Sequence, residues 1–423
     1  MRWILVLSVS LLSGWNGMLA QKTLWSKPYN ANGRIYDVRL LGWKDKQFYS
    51  LIVVGETMKW LIFDSTFQRL RIEDVPHSVN IKWIGWYNNK PTVISITKDD
   101  SLKKIFIYAF RNTDMSDTIQ LASLNRNVSI KKALTTVSPH YAYWLLALWC
   151  SNNQLYVLII DSNENKWTYE KYQSEPIVDA IIDDFGNWKL LSKEPSLSLI
   201  YRTDKWHTEI ISHELYDFAI LTYDTLFNTM ALATDGSIMD IFFLEDSFRK
   251  VSVNVPYAGR STLKPISIVN MTDSGTVIVV EEFSEEWFSS LEMDLYYPYS
   301  IRQAKYHILG PIGIYKWAKD SLTGKPEWIK WISKYQRTES LSDPFMGTFL
   351  SVSPTSLLLL FNDLSTSIAR FTATVVFPLG QIKQRWIANY PVWVSRAKLI
   401  GDQTVAVPFV ERKTLRLIII KGE

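Results

Sequence analysis

The sequence offers three kinds of side chain that could do chemistry: adjacent carboxylates, a thin set of histidines and an abundance of aromatic rings. Glycoside hydrolysis needs two carboxyls about 5 to 10 Å apart across a sugar. The pairs Asp99-Asp100, Asp183-Asp184 and Glu281-Glu282 are chain neighbours, and neighbours on a strand point to opposite faces. They read as solvated turn residues. A metal centre needs convergent ligands, but His77, His140, His207, His213 and His307 are scattered. Only His207 and His213 lie close, and a separation of six is not the spacing of ligands on a helix. No metal site and no cofactor is expected. Asp184-Phe185-Gly186 imitates a kinase element without a Gly-rich loop or catalytic loop beside it, so it reads as a turn. The nucleophile elbow, the phosphate-binding P-loop and the His-Glu-x-x-His pattern are all missing from the sequence. The sole cysteine, Cys150, ends the apolar stretch Tyr143-Trp144-Leu145-Leu146-Ala147-Leu148-Trp149 and reads as a buried small apolar residue.

The rings carry the remaining possibility, with 18 Trp, 21 Tyr and 19 Phe in 423 residues. A ring can stack on a sugar or anchor a partner, and it can equally fill the wedge between repeated units. Pairs at odd separation, Trp83 with Trp86, Trp144 with Trp149 and Trp328 with Trp331, fall on opposite faces of a strand and cannot form one platform. The interval from Phe283 to Lys334 is the least regular of the chain. It holds Glu281-Glu282-Phe283-Ser284-Glu285-Glu286-Trp287, then Asp294-Leu295-Tyr296-Tyr297-Pro298-Tyr299, then a turn signal at Gly310-Pro311. Long excursions with aromatic residues are where binding tends to reside. Trp287, Tyr296, Tyr297 and Tyr299 are therefore the candidate binding residues.

The elements that must position them are strands. Aromatic and β-branched residues recur in short runs, and Asn-Asn, Asp-Gly, Ser-Gly and Gly-Asn pairs fall between those runs. Strand pairs are expected around turns at 43–46, 87–91, 151–154, 184–187, 234–237, 272–275, 321–324, 353–356 and 401–403. The intervals vary from roughly 30 to 65 residues and average near 45, which brackets the length of a propeller blade. Each unit reads as an inner strand, a second apolar strand and a more polar outer pair with Trp, as at Trp60, Trp167, Trp206 and Trp386. One unit alone could not bury both faces. The expected fold is all-β, a β-propeller of seven or eight blades with six also compatible; a tandem array of β-sandwiches is the alternative.

Residues 1–20 read as a signal peptide: Arg2, an apolar run from Ile4 to Leu12, and Gly17 to Ala20 before Gln21. Residues 21–423 then form one propeller domain. The formal net charge of +4 comes from interspersed signs, which gives no field for steering a polyanion, so nucleic acid is not an expected partner. No later segment has the length of apolar chain that spans a bilayer. The expected location is exported: periplasmic, extracellular or peripherally attached to the outer membrane.

The stretch from Trp328 to Asp363 resembles a segment common in exported proteins of unknown function from Bacteroidota. The residues that carry the likeness are Trp331, Lys334, Gln336, Thr338, Asp343, Gly347 and Phe349, followed by the apolar strand Leu357 to Asp363. The resemblance implies bacterial export and a repeated β architecture, and brings no activity with it. The functional reading is a non-enzymatic exported propeller that presents loops to a protein or glycan partner. The alternative is a carbohydrate-active hydrolase with carboxylates drawn from different blades. The C-terminal run Thr414 to Ile420 would be an aggregation hazard as an open edge, so it is expected to lie in the same blade as Ile35 to Leu41 or in the next one.

Overall fold

A computed structural model describes residues 23–421 apart from 76–80, 88–89, 100–103, 111–118, 126–127, 139–141, 163, 165, 224–228, 236–237, 245–248, 257–260, 272–274, 293–299, 319–321, 323, 354–355, 366–367 and 402–403. The described residues form eight antiparallel sheets, six of four strands and two of five. Their first strands are Ile35–Lys44, Ile81–Tyr87, Ile130–Val137, Ile177–Ile182, Phe218–Tyr223, Thr262–Met271, Thr348–Ser353 and Lys398–Gly401. Each of the first seven sheets then runs outward through its next three strands in chain order. First strands meet across sheets, Ile130–Val137 with Ile177–Ile182 and Ile177–Ile182 with Phe218–Tyr223 among them, so they line the middle of the assembly.

Burial follows from this placement. A second strand has a neighbouring sheet against each face and must be apolar on both, which erases the alternation of a half-buried strand. Tyr143–Cys150 and Ser356–Asp363 accordingly read as nearly continuous buried runs. Fourth strands lie at the rim, and Leu70–Val75 and Arg249–Asn254 are mostly exposed. Eight apolar cores separate the sheets, one between each consecutive pair. Ile94 packs with Trp144 and Leu146 between the second and third. Val277 and Ile314 meet Leu359 and Phe361 between the sixth and seventh. The core that joins eighth to first holds Val38, Phe48, Ala406 and Leu417. Eight sheets joined by eight cores make a closed ring, and the fold is an eight-bladed β-propeller.

First strands begin 41 to 50 residues apart, except that 86 residues separate the sixth from the seventh. The regular spacing in sequence was obscured because the turn signals fall at different places in each blade. The turns at 43–46 and 184–187 join first to second strands, whereas 151–154 joins second to third in the third blade. The expected Trp pairing holds at Trp144 and Trp149, which enter the cores on opposite sides of one sheet. Trp60 lies in the expected outer pair, on a third strand, but that strand is apolar and Trp60 is buried between the first two blades.

The ring is closed by the start of the chain. Thr414–Lys421 pairs on one side with Thr404–Glu411, and on the other with Thr23–Trp25 and Tyr29–Asn30. Ser26 locks the arrangement, since its N–H donates to the Leu417 carbonyl (2.9 Å) and its hydroxyl accepts from the Leu417 N–H (2.8 Å). Ile35–Lys44 lies in the adjacent blade and shares a core with Leu415, Leu417 and Ile419. The direct pairing partner, a strand of three residues, is too short to show a period in sequence.

Cys150 is fully buried among Leu148, Tyr156 and Leu158, and burial pushes its thiol up to about 11. The thiolate is the reactive form. Native protein at pH 8 is expected to resist a disulfide-exchange reagent, and one thiol should become titratable on addition of denaturant. Rapid labelling of the native protein would contradict this placement.

Candidate interaction surface

The excess residues of the sixth blade are drawn out into a ribbon. Gly275–Glu292 and Ser300–Trp317 are each 18 residues long and pair from Thr276↔Trp317 to Glu292↔Ser300. Thr262–Met271 covers the first of these strands only as far as Phe283, and Trp328–Ile332 covers the second only from Ile312 onward. Beyond Phe283 the ribbon is two-stranded, apart from the short strand Gln336–Thr338 on residues 307–309. Gly310-Pro311, expected as a turn, is instead a bulge. The register shifts between Glu281↔Ile312 and Phe283↔Leu309, so both residues oppose Glu282 alone. Pro lacks a donor and is tolerated at bulges. A Cβ on Gly310 would come within 2.9 Å of the Glu282 Cβ, which is why the bulge needs glycine.

The base of the ribbon is anchored from three blades. Phe283 sets its ring edge-on against Phe218 of the fifth blade at 5.0 Å and clusters with Leu309 and Met346. One face is then pinned down. Arg337 places its guanidinium 4.2 Å from the Tyr306 ring centre and 5.2 Å from that of Phe288, and the Tyr306 hydroxyl donates to Glu339 (3.0 Å). The other face carries Glu285, which pairs with Lys305 (2.5 Å) and lies 3.2 Å from His307 Nδ1. Trp287 stands directly opposite Lys305 and is 73% exposed. Tyr296, Tyr297 and Tyr299 lie outside the described residues.

Beneath the ribbon, the residues of the Trp328 to Asp363 stretch serve as a polar stitch through three blades. Lys334 is fully buried, paired with Glu281, and donates to Thr348 Oγ1 (2.9 Å). Burial drives the Lys334 ammonium below its usual range, against the opposing pull of Glu281. Gln336 donates to the Asn362 carbonyl (2.9 Å) and accepts from the Gly347 N–H (2.9 Å). Asn362 in turn exchanges two hydrogen bonds with the backbone of Val392, at 2.7 and 3.0 Å. In sequence these residues were visible only as a likeness; the structure shows each as a buried polar group that satisfies backbone left over between blades.

The inner strands carry two carboxylates, Asp37 and Asp179. Both follow a bulge, and both accept from the N–H of the next residue. Asp37 also takes Arg39 (2.8 Å) and Arg396 (2.9 Å), while Asp179 accepts from Leu221 N of the next blade (2.7 Å). Burial raises the Asp179 carboxyl despite these donors. Lys398 reaches the Leu41 carbonyl (2.7 Å), and burial pulls its ammonium down to about 8. These groups act as clips between blades. His207 donates or accepts at Thr203 and stacks on Tyr201, and no group of three or more His, Cys, Asp or Glu placed to hold a metal ion occurs among the described residues. Asp184-Phe185-Gly186 is a turn, with Gly186 at φ 84° and Phe185 85% exposed.

No family model matches the chain, and no curated protein matches its sequence. Solved structures similar to it include propeller domains, and also a puromycin hydrolase and a prolyl endopeptidase at 9% and 8% identity. The WD40 domain of SCAP from fission yeast is 11% identical, with 95% of this chain and 98% of that one covered at a TM-score of 0.46. The Dos1 propeller is 12% identical, covering 95% and 96% at 0.39. The β-propeller domain of Cps50 (Swd1) from Myceliophteria thermophila is 11% identical, covering 81% and 97% at 0.39.

Proposed function

We propose that residues 21–423 act as one exported propeller that binds a protein partner through the ribbon of the sixth blade. The observation that carries this reading is Trp287, a large ring left mostly in water on a ribbon that the rest of the molecule braces from beneath. Large exposed aromatic residues on a rigid support are typical anchors of binding energy. Among the described residues no strand pairs with 284–292 on the side away from Ser300–Trp317, where an extended partner segment could add. Export rests on the apolar leader at residues 1–20, which lies outside the described residues, and on the resemblance of the Trp328 to Asp363 stretch to exported bacterial proteins.

Replacing residues 286–306 by Asn-Gly closes the hairpin at the Glu285↔His307 pair with a turn suited to two-residue connections. This variant is expected to fold and to melt within a few degrees of the parent. In cells that express the native gene, the parent should be recovered outside the cytoplasm and in a larger complex than the shortened protein. Recovery of both in the cytoplasm would overturn export, and an unchanged complex size would overturn the role of the ribbon.

A further inference from the structure

A concavity lies at the ring closure, about 940 Å³ in volume, built from both ends of the chain. Trp25 comes from the N-terminal strand, Phe409 and Arg416 from the last two strands, Arg412 from the turn between them, and Tyr390 from the loop after the seventh blade. Tyr390 and Phe409 lie 4.3 Å apart and inclined by 30°, while Trp25 stands edge-on to both at 6.2 and 5.8 Å. The three rings thus form a wall with a corner. All three are only partly buried. Asn30 and Thr414 add amide and hydroxyl groups at the rim, tied to each other at 2.9 Å.

We infer that this groove binds an acidic oligosaccharide. Thr414–Lys421 is paired on both sides around the groove, and the short edge strands beside it are partly capped, since the Trp25 carbonyl accepts from Gln68 Nε2 (3.1 Å) and the Lys27 N–H donates to the Phe67 carbonyl (2.8 Å), which leaves little strand edge for an extended peptide. Recognition there must come from side chains. Aromatic rings offer apolar area to the C–H face of a sugar, and amide, hydroxyl and guanidinium groups bond its substituents. Two guanidinium groups, Arg412 and Arg416, face one carboxylate, Glu411, within the lining, and guanidinium is the planar partner of carboxylate and sulfate. The ligand is therefore a sugar chain with a carboxylate or sulfate, not a neutral one. Because the lining comes from both ends of the chain, a bound ligand also holds the closure together and raises the melting temperature. This site is independent of the ribbon.

The test is calorimetric titration of the full chain with hexameric oligogalacturonate, maltohexaose and a poly-glutamate of matched charge, with melting temperature followed in parallel. Binding of the oligogalacturonate alone is expected, with a rise in melting temperature. Tyr390→Ala, and Arg412→Ala with Arg416→Ala, should each weaken it about tenfold or more. Arg412 and Arg416 are exposed, so the double variant carries the test if Tyr390→Ala fails to fold. No oligogalacturonate binding at millimolar concentration, equal binding of poly-glutamate or of maltohexaose, or unchanged affinity in the double variant would each overturn the proposal.

Discussion

Removal of Leu415 to Glu423 is expected to yield insoluble protein. The lost strand sits inside its sheet, not at its edge: Thr404–Glu411 pairs on one side, and the N-terminal strands pair on the other. Five of its side chains, Leu415, Leu417, Ile418, Ile419 and Ile420, are at most 5% exposed. They enter both flanking cores, the one toward the seventh blade and the one toward the first. At roughly 1.5 to 3 kcal/mol for each buried aliphatic side chain, their loss is comparable with the whole stability of a typical domain, about 5 to 15 kcal/mol. The deletion also opens an apolar edge on Thr404–Glu411, which invites pairing between chains. Expression followed by ultracentrifugation reads the outcome. A truncated chain that stays soluble, monomeric and cooperatively folded would show that the ring is not closed in this way.

Lys334→Ala should be among the most costly single changes in the protein, by about 3 to 5 kcal/mol. It leaves Glu281, 2% exposed, without its ion-pair partner in the core between the sixth and seventh blades. The cost is the desolvation of an unpaired charge, so it should vanish when both charges are removed. Lys334→Met with Glu281→Leu is expected to fall within about 1 kcal/mol of the parent, or above it. Denaturant titration of the parent, Lys334→Met, Glu281→Leu and the double variant gives the coupling directly. Equal destabilisation by the single and double variants would mean that the pair fills space and carries no electrostatic coupling. The effect should reach the ribbon as well, since Glu281 lies at the bulge where the ribbon leaves its sheet.

The fold was legible in the sequence because blades announce themselves by apolar second strands. Tyr143–Cys150 and Ser356–Asp363 are strands by composition, and the structure keeps them there. The number of blades was less legible, because a turn signal marks only one of the connections in each blade, and which one varies. The long gap between the sixth and seventh blades was seen as irregular; that it is a ribbon follows from pairing over 16 register positions, which no local pattern reveals. Trp287 stood out as a candidate because it falls in the least regular interval of the chain, which is rich in aromatic and charged residues. Its brace did not: Arg337, Tyr306 and Glu339 are brought together by the bulge at Gly310-Pro311 and by the short strand Gln336–Thr338. The aromatic groove was equally hidden, because Trp25, Tyr390 and Phe409 meet only when the ends of the chain do.

The claim that the ribbon is the binding surface is tested most directly by a photo-crosslinking amino acid placed at position 287 in the native host, with a second placed at position 185. Both side chains are exposed, at 73% and 85%, and they sit on different blades. Irradiation is expected to give one discrete protein adduct from position 287 and none from position 185. The same adduct from both positions, or none from position 287, would contradict it.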